Sequence, residues 1–103
     1  MKESEWYDLM LELANEAARR VDPKMTIWGG ALSSAREHWE LTPFPTISGR
    51  AAEINYYGPD GESLRPRIVR LSNGTPGAVK AFKRQVTIAI KEILRERRAA
   101  EKR

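Results

Sequence analysis

The chain has no cysteine and a single histidine among its 103 residues. Without thiols there is no disulfide framework, no thiolate zinc site and no cysteine nucleophile, and one histidine rules out a histidine-rich metal centre. Packing alone must hold the fold. At this size folding buries roughly 60–70% of the unfolded chain's surface, which suits one domain over residues 1–103, with a basic helical tail fraying from about residue 99. No apolar run approaches the roughly 20 residues of a membrane span, and the opening MKESEWYDLM lacks the basic-then-apolar pattern of a signal peptide. The expectation is a cytoplasmic protein with no membrane partner. Asn73-Gly74-Thr75 matches a glycosylation acceptor by spelling, but Thr75 is better used as a helix cap.

What the chain does have is charge, unevenly placed. Residues 1–22 set Lys2, Arg19 and Arg20 against Glu3, Glu5, Asp8, Glu12, Glu16 and Asp22, a balance of −3. Residues 23–48 are neutral, and residues 49–103 carry thirteen basic against six acidic side chains, or +7, within a net charge of +4. An acidic beginning and a basic second half point to a polyanionic partner, or to one half packing on the other.

Trp6, Leu9, Met10, Leu13, Ala14 and Ala17 fall at i, i+3, i+4, i+7, i+8 and i+11, which predicts an amphipathic helix with Ser4 as N-cap. Pro23 disfavours helical geometry in the residue before it, so the helix should stop by Asp22. Met25-Thr26-Ile27-Trp28 reads as a short strand ended by Gly29-Gly30. Ser34-Ala35-Arg36-Glu37 has capping-box spacing, which predicts a short helix through Trp39, and Thr42-Pro43-Phe44-Pro45 then reads as an extended connection.

The segment AAEINYYGPDGESLRPRIV predicts a hairpin around Pro59-Asp60-Gly61, a type I turn closed by a glycine in the left-handed region. That loop pairs residues whose numbers sum to 120, so Tyr56 faces Leu64, Ile54 faces Pro66 and Ala52 faces Ile68 on one apolar side. Tyr57, Asn55, Glu53, Ser63, Arg65 and Arg67 share the other, with Glu53 opposite Arg67. Pro66 lacks a donor, so its strand should lie at an edge or be bulged there, and the 25–28 segment is a candidate third strand.

Thr75 then caps a helix with Pro76 at its first position and Val79, Phe82, Val86, Ile90 and Ile93 on one stripe. Lys80, Arg84, Lys91, Arg95, Arg98 and Lys102 fall within a sector about 60° wide, roughly a third of a turn from that stripe. They make a one-sided basic ridge. Glu92, Glu96 and Glu101 are expected on its far side, partly neutralising it through pairs such as Glu92 with Arg95. The fold class is therefore α+β: helix, short strand, short helix, hairpin and long C-terminal helix, with the two longer helices on one face of a small antiparallel sheet.

The segment 26–49 concentrates Trp28, Trp39, His38 and three glycines. Ser34 and His38 stand four apart, but a nucleophile and base also need an orienting acid and an oxyanion site, so a capping serine and a solvated histidine are the better account. Gly29-Gly30 before a helix suits an anion, yet no Lys-Ser/Thr follows as in a P-loop. Trp28 and Trp39 are expected to close the core. Glu53, Asp60 and Glu62 lack calcium-loop spacing. No catalytic residue, metal or cofactor is assigned.

Regularly spaced cations along a helix match regularly spaced phosphates and gain affinity through counterion release. The expected function is a small non-enzymatic module that binds nucleic acid, or the nucleic-acid site of a nucleoprotein, through Lys80, Arg84, Lys91, Arg95 and Arg98, with Arg65, Arg67 and Tyr57 on the hairpin adding guanidinium and aromatic contacts. The alternative is a protein-binding inhibitor or adaptor of the compact kind that phages and mobile elements encode. The near-heptad stripe from Val79 to Ile93 and an uncovered hairpin edge further suggest a homodimer. No RNP signature, GXXG loop or helix-turn-helix spacing marks the chain as a known nucleic-acid module.

Overall fold

The structure is a computed structural model that describes residues 2–30, 37–44 and 50–101. Helix α1 spans Glu3–Val21, strand β1 Ile27–Trp28, β2 His38–Phe44, β3 Arg50–Tyr57, β4 Arg67–Leu71 and helix α2 Pro76–Glu101. The strands form one sheet in the order β1-β2-β3-β4, with β1 parallel to β2 and the remaining pairs antiparallel. This is the α+β arrangement expected, with a mixed sheet.

Helix α1 buries Met10, Leu13, Ala14, Ala17 and Ala18, the stripe its periodicity implies. Its N-cap is Lys2, not Ser4, and no side chain caps it; Ser4 lies inside the first turn. Glu3 and Glu5 there, with Arg19 and Arg20 in the last turn, complement the helix dipole. The helix ends where Pro23 requires, and the Asp22 N–H closes it on the Ala18 carbonyl.

The short helix expected through Trp39 is instead strand β2 over its described part; Ala31 to Arg36, including Ser34, lie outside the described residues. The alternation of Trp39 and Leu41 with His38, Glu40 and Thr42 outweighs the capping spelling, because Trp39 and Leu41 drop into the core together. The Leu41 carbonyl accepts the Tyr7 hydroxyl proton at the outer edge of β2. By alternation Pro43 turns its donor-less nitrogen to that same edge, past the end of β1, so the proline costs no ladder bond. Thus β2 is the third strand beside the hairpin, and Ile27–Trp28 is the fourth.

The turn forms as expected. Gly61 has φ +81°, its N–H bonds to the Gly58 carbonyl at 3.1 Å, and the Gly58 N–H bonds to the Glu62 carbonyl at 2.7 Å. Tyr57 pairs with Ser63, in the register summing to 120. Beyond it the register slips by one: Ile54 pairs with Arg67, Glu53 with Ile68 and Ala52 with Val69. Three residues, Leu64 to Pro66, face two, Asn55 and Tyr56, so the bulge sits where Pro66 cannot donate. A one-residue slip reverses every later side chain. Val69 and Leu71 enter the core, Ile68 turns out to solvent, and Arg67 turns inward rather than opposing Glu53.

Both helices pack on the face formed by Ile27, Trp39, Leu41, Ala52, Ile54, Tyr56, Val69 and Leu71. They run in roughly the same direction, since Glu16 meets Lys83 while Val21 and Pro23 line one cleft with Leu94 and Arg98. The Thr75 cap holds: the Ala78 N–H bonds to Thr75 Oγ1 at 3.3 Å. Each sheet edge receives a carboxamide from a helix. On β1, Asn15 Oδ1 accepts the Ile27 N–H at 2.8 Å and Asn15 Nδ2 donates to the Ile27 carbonyl at 3.0 Å. On β4, Gln85 Oε1 accepts the Arg70 N–H at 2.9 Å and Gln85 Nε2 donates to its carbonyl at 3.4 Å. The stripe Val79 to Ile93 packs against the chain's own core, and Gln85 covers the β4 edge at Arg70.

Candidate nucleic-acid interface

A helix with one apolar stripe buries that stripe and turns the opposite sector to water. Helix α2 buries Phe82, Val86, Ala89, Ile90 and Ile93, so its outward sector is the one holding Lys80, Arg84, Lys91, Arg95 and Arg98. All five are exposed. At about 1.5 Å per residue they span about 27 Å along the axis.

The remaining cations of the basic half are largely engaged. Lys83 Nζ lies 2.6 Å from Glu16, Arg97 lies 3.0 Å from Glu37 and 3.4 Å from Glu101, and the Arg50 guanidinium sits 5.2 Å from the Trp6 ring. Arg67, the residue turned inward by the bulge, is 3.4 Å from Glu92 and also bonds Glu96. Among the described residues none of the five ridge cations enters an ion pair. The expected pairing of Glu92 with Arg95 is replaced by Glu92 with Arg67, and Glu101 turns to Arg97. The helix's own carboxylates therefore leave the ridge un-neutralised.

The hairpin residues nominated with the ridge do not join it. Tyr57 stands on the sheet face away from the helices, its ring stacked on His38 at 5.0 Å between centroids. Arg67 lies behind the ridge, its side chain 18% exposed. Arg65 is exposed in the bulge, and its carbonyl accepts a bond from Arg67. The nominated set thus divides into one continuous line on α2 and three separate hairpin positions.

The sheet face away from the helices is the feature the sequence reading missed. Trp28, Phe44 and Ile68 stand on it at 47%, 40% and 56% exposure, so Trp28 does not close the core, whereas Trp39, 6% exposed against Tyr56, does. The signal was present in the Val69-Arg70-Leu71 alternation, which puts Ile68 outside. His38 is not solvated: its side chain is 8% exposed, 2.9 Å from Glu40 and stacked on Tyr57.

A cleft of about 400 Å³ opens beside Trp28, His38, Trp39, Glu37 and Arg97. Its histidine is hydrogen-bonded to Glu40 and its arginine is ion-paired with Glu37. The neighbouring Tyr56 phenol is pushed up to about 12 by burial and then by its hydrogen bond to Glu37, so it stays protonated at neutral pH. Among the described residues no three carboxylate or histidine groups are placed to hold a metal ion; Glu62 instead bonds the Asp60 N–H at 3.1 Å. The helix expected after Gly29-Gly30 is strand β2 from His38 onward, and its start lies outside the described residues. No helix among the described residues is long and apolar enough to cross a membrane. The chain matches no known protein family model, no curated protein and no solved structure.

Proposed function

We propose that this chain is a small non-enzymatic cytoplasmic module that binds nucleic acid, alone or within a nucleoprotein, through the outward face of α2. The observation that carries the reading is the line of five exposed cations, free of ion pairs, on a helix whose other cations are engaged. A rigid row about 27 Å long presents ammonium and guanidinium groups to a phosphate backbone, which rewards contact by releasing condensed counterions. No aromatic side chain stands in the ridge, so backbone charge rather than base stacking supplies the affinity.

Replacing Lys80, Arg84, Lys91 and Arg95 together by glutamine tests this. The fold should persist, since surface changes are usually within about 0.5 kcal/mol each. For duplex DNA the slope of log affinity against log salt should shrink by about 0.9 per lost contact, or roughly 3.6 for four, with similar losses across base sequences. Undetectable binding by the unmutated protein at low salt would remove the reading.

A second reading, a protein-binding inhibitor or adaptor, is favoured by Trp28, Phe44 and Ile68, three exposed apolar side chains on one sheet face. It predicts that replacing Ile68 abolishes partner capture while the glutamine variant retains it.

A further inference from the structure

Arg67 is the only guanidinium of the hairpin turned toward α2, and it spans two carboxylates that stand one helical turn apart. At 100° per residue Glu92 lies about 60° around the helix from Arg95 and Glu96 about 100° from it, both on the flank facing β4. Left alone, Glu92 has a cation within i,i+3 reach, Arg95, whereas Glu96 has none three or four residues away and adds a second negative charge to the same flank. Arg67 competes with Arg95 for Glu92 and neutralises Glu96 beside it. It does so from a fixed position, because β4 pairs with β3 and a further Arg67 N–H bonds the Arg65 carbonyl. Its planar fork suits two carboxylates at once, which a lysine ammonium does less well.

We propose that Arg67 is a positioning residue for the basic ridge: by holding Glu92 and Glu96 against the hairpin, it keeps Arg95 unpaired and available to phosphates. This rests on the ridge being the binding surface. It gives the bulge at Leu64 to Pro66 a functional consequence, because that extra residue is what turns Arg67 toward the helix. Arg67 itself touches no ligand. Losing it lets Glu92 close on Arg95, removing one phosphate contact, while the unbalanced carboxylates weaken the field over the rest, within about a Debye length of 8–10 Å.

The test uses the full chain and a short DNA duplex over a salt series. Arg67→Gln should lower affinity several-fold and reduce the salt slope by about 0.9. Arg67→Lys should fall between that variant and the unmutated protein. The decisive variant is the triple Arg67→Gln, Glu92→Gln and Glu96→Gln, which should recover at least the original affinity, since the carboxylates needing restraint are gone. A triple variant as weak as Arg67→Gln would make Arg67 a direct contact or a purely structural residue and overturn the proposal. So would an Arg67→Gln variant that binds normally. A nitrogen-detected spectrum of the free protein gives a readout separate from binding. The Arg95 Nε–H should become exchange-protected in Arg67→Gln, as it pairs with Glu92, and an unchanged signal would overturn the clamp. If the protein binds no duplex yet the signal changes, the clamp stands and the ridge reading fails.

Discussion

The two helices lie side by side on one sheet face, and their buried halves are alike, but their outward halves are not. In α1 the charges follow the helix dipole, with Glu3 and Glu5 in the first turn and Arg19 and Arg20 in the last. Helix stability accounts for that pattern. Helix α2 has no acidic residue in its first turn, and its cations run the length of one side from Lys80 to Arg98. The dipole acts only within the terminal turns, so it does not explain Lys80, Arg84 or Lys91. What stability leaves unexplained in α2 is the part we propose as the nucleic-acid surface.

The sharpest test of the likeness is in the core. Phe82 is fully buried under α2 and Leu13 lies 7% exposed under α1. Phe82→Ala should cost about 3–5 kcal/mol and Leu13→Ala about 2–5 kcal/mol, as large side chains leave cavities that close only in part. Urea unfolding at neutral pH measures both. A Leu13→Ala midpoint equal to that of the unmutated protein would mean α1 is not docked as described, and the comparison would break there.

Next in size are the two carboxamides at the sheet edges, which separate the helices again. Asn15 serves a buried residue, Ile27, 2% exposed, while Gln85 serves Arg70, which is exposed. Asn15→Ala strands a buried donor and acceptor and should cost about 1–3 kcal/mol; Gln85→Ala lets water replace the amide and should cost less than about 1 kcal/mol. Equal losses would show that β4 is as sealed as β1. Because Gln85 also blocks a free strand edge, its variant should show more concentration-dependent association by sedimentation than Asn15→Ala.

These positions also show how far residues alone led. Helix α1, strand β1, the Gly61 turn and the Thr75-Pro76 start of α2 rest on local chemistry, namely spacing, a left-handed glycine and a cap, and they stand in the structure. The ridge was legible for the same reason, since helical periodicity places its members without further knowledge. The errors arose where two local signals competed and tertiary packing decided. Capping spelling at Ser34-x-x-Glu37 lost beyond Glu37 to the burial of Trp39 and Leu41 in a strand. The hairpin register began as the turn dictates and slipped at Pro66, because burying Val69 and Leu71 together outweighs burying Ile68. That slip turned Arg67 to the helix face of the sheet, away from Tyr57. Long-range ion pairs such as Arg67 with Glu92 and Glu96 leave no periodic trace, and only the fold reveals them.

The smallest expected effect lies on the seam between the helices, where the acidic one meets the basic one through Glu16 and Lys83. The Lys83 ammonium holds the Glu16 carboxyl below its ordinary value, first by its hydrogen bond and then by its charge, with Arg19 and Arg20 adding to the effect. A carboxyl whose folded value is depressed contributes stability above its unfolded value and loses that contribution as pH falls through the folded one. Glu16 is on the surface, so solvent screens the pair and it adds little at neutral pH. Lys83→Gln should therefore leave the fold and the ridge intact while Glu16 moves up toward an ordinary carboxyl, followed by the side-chain carboxyl carbon signal between about pH 2 and 7. The acid limb of the stability curve should flatten slightly in the variant, and the shift should shrink with added salt. Identical Glu16 titrations with and without Lys83 would mean that the two helices share a core but not their charges.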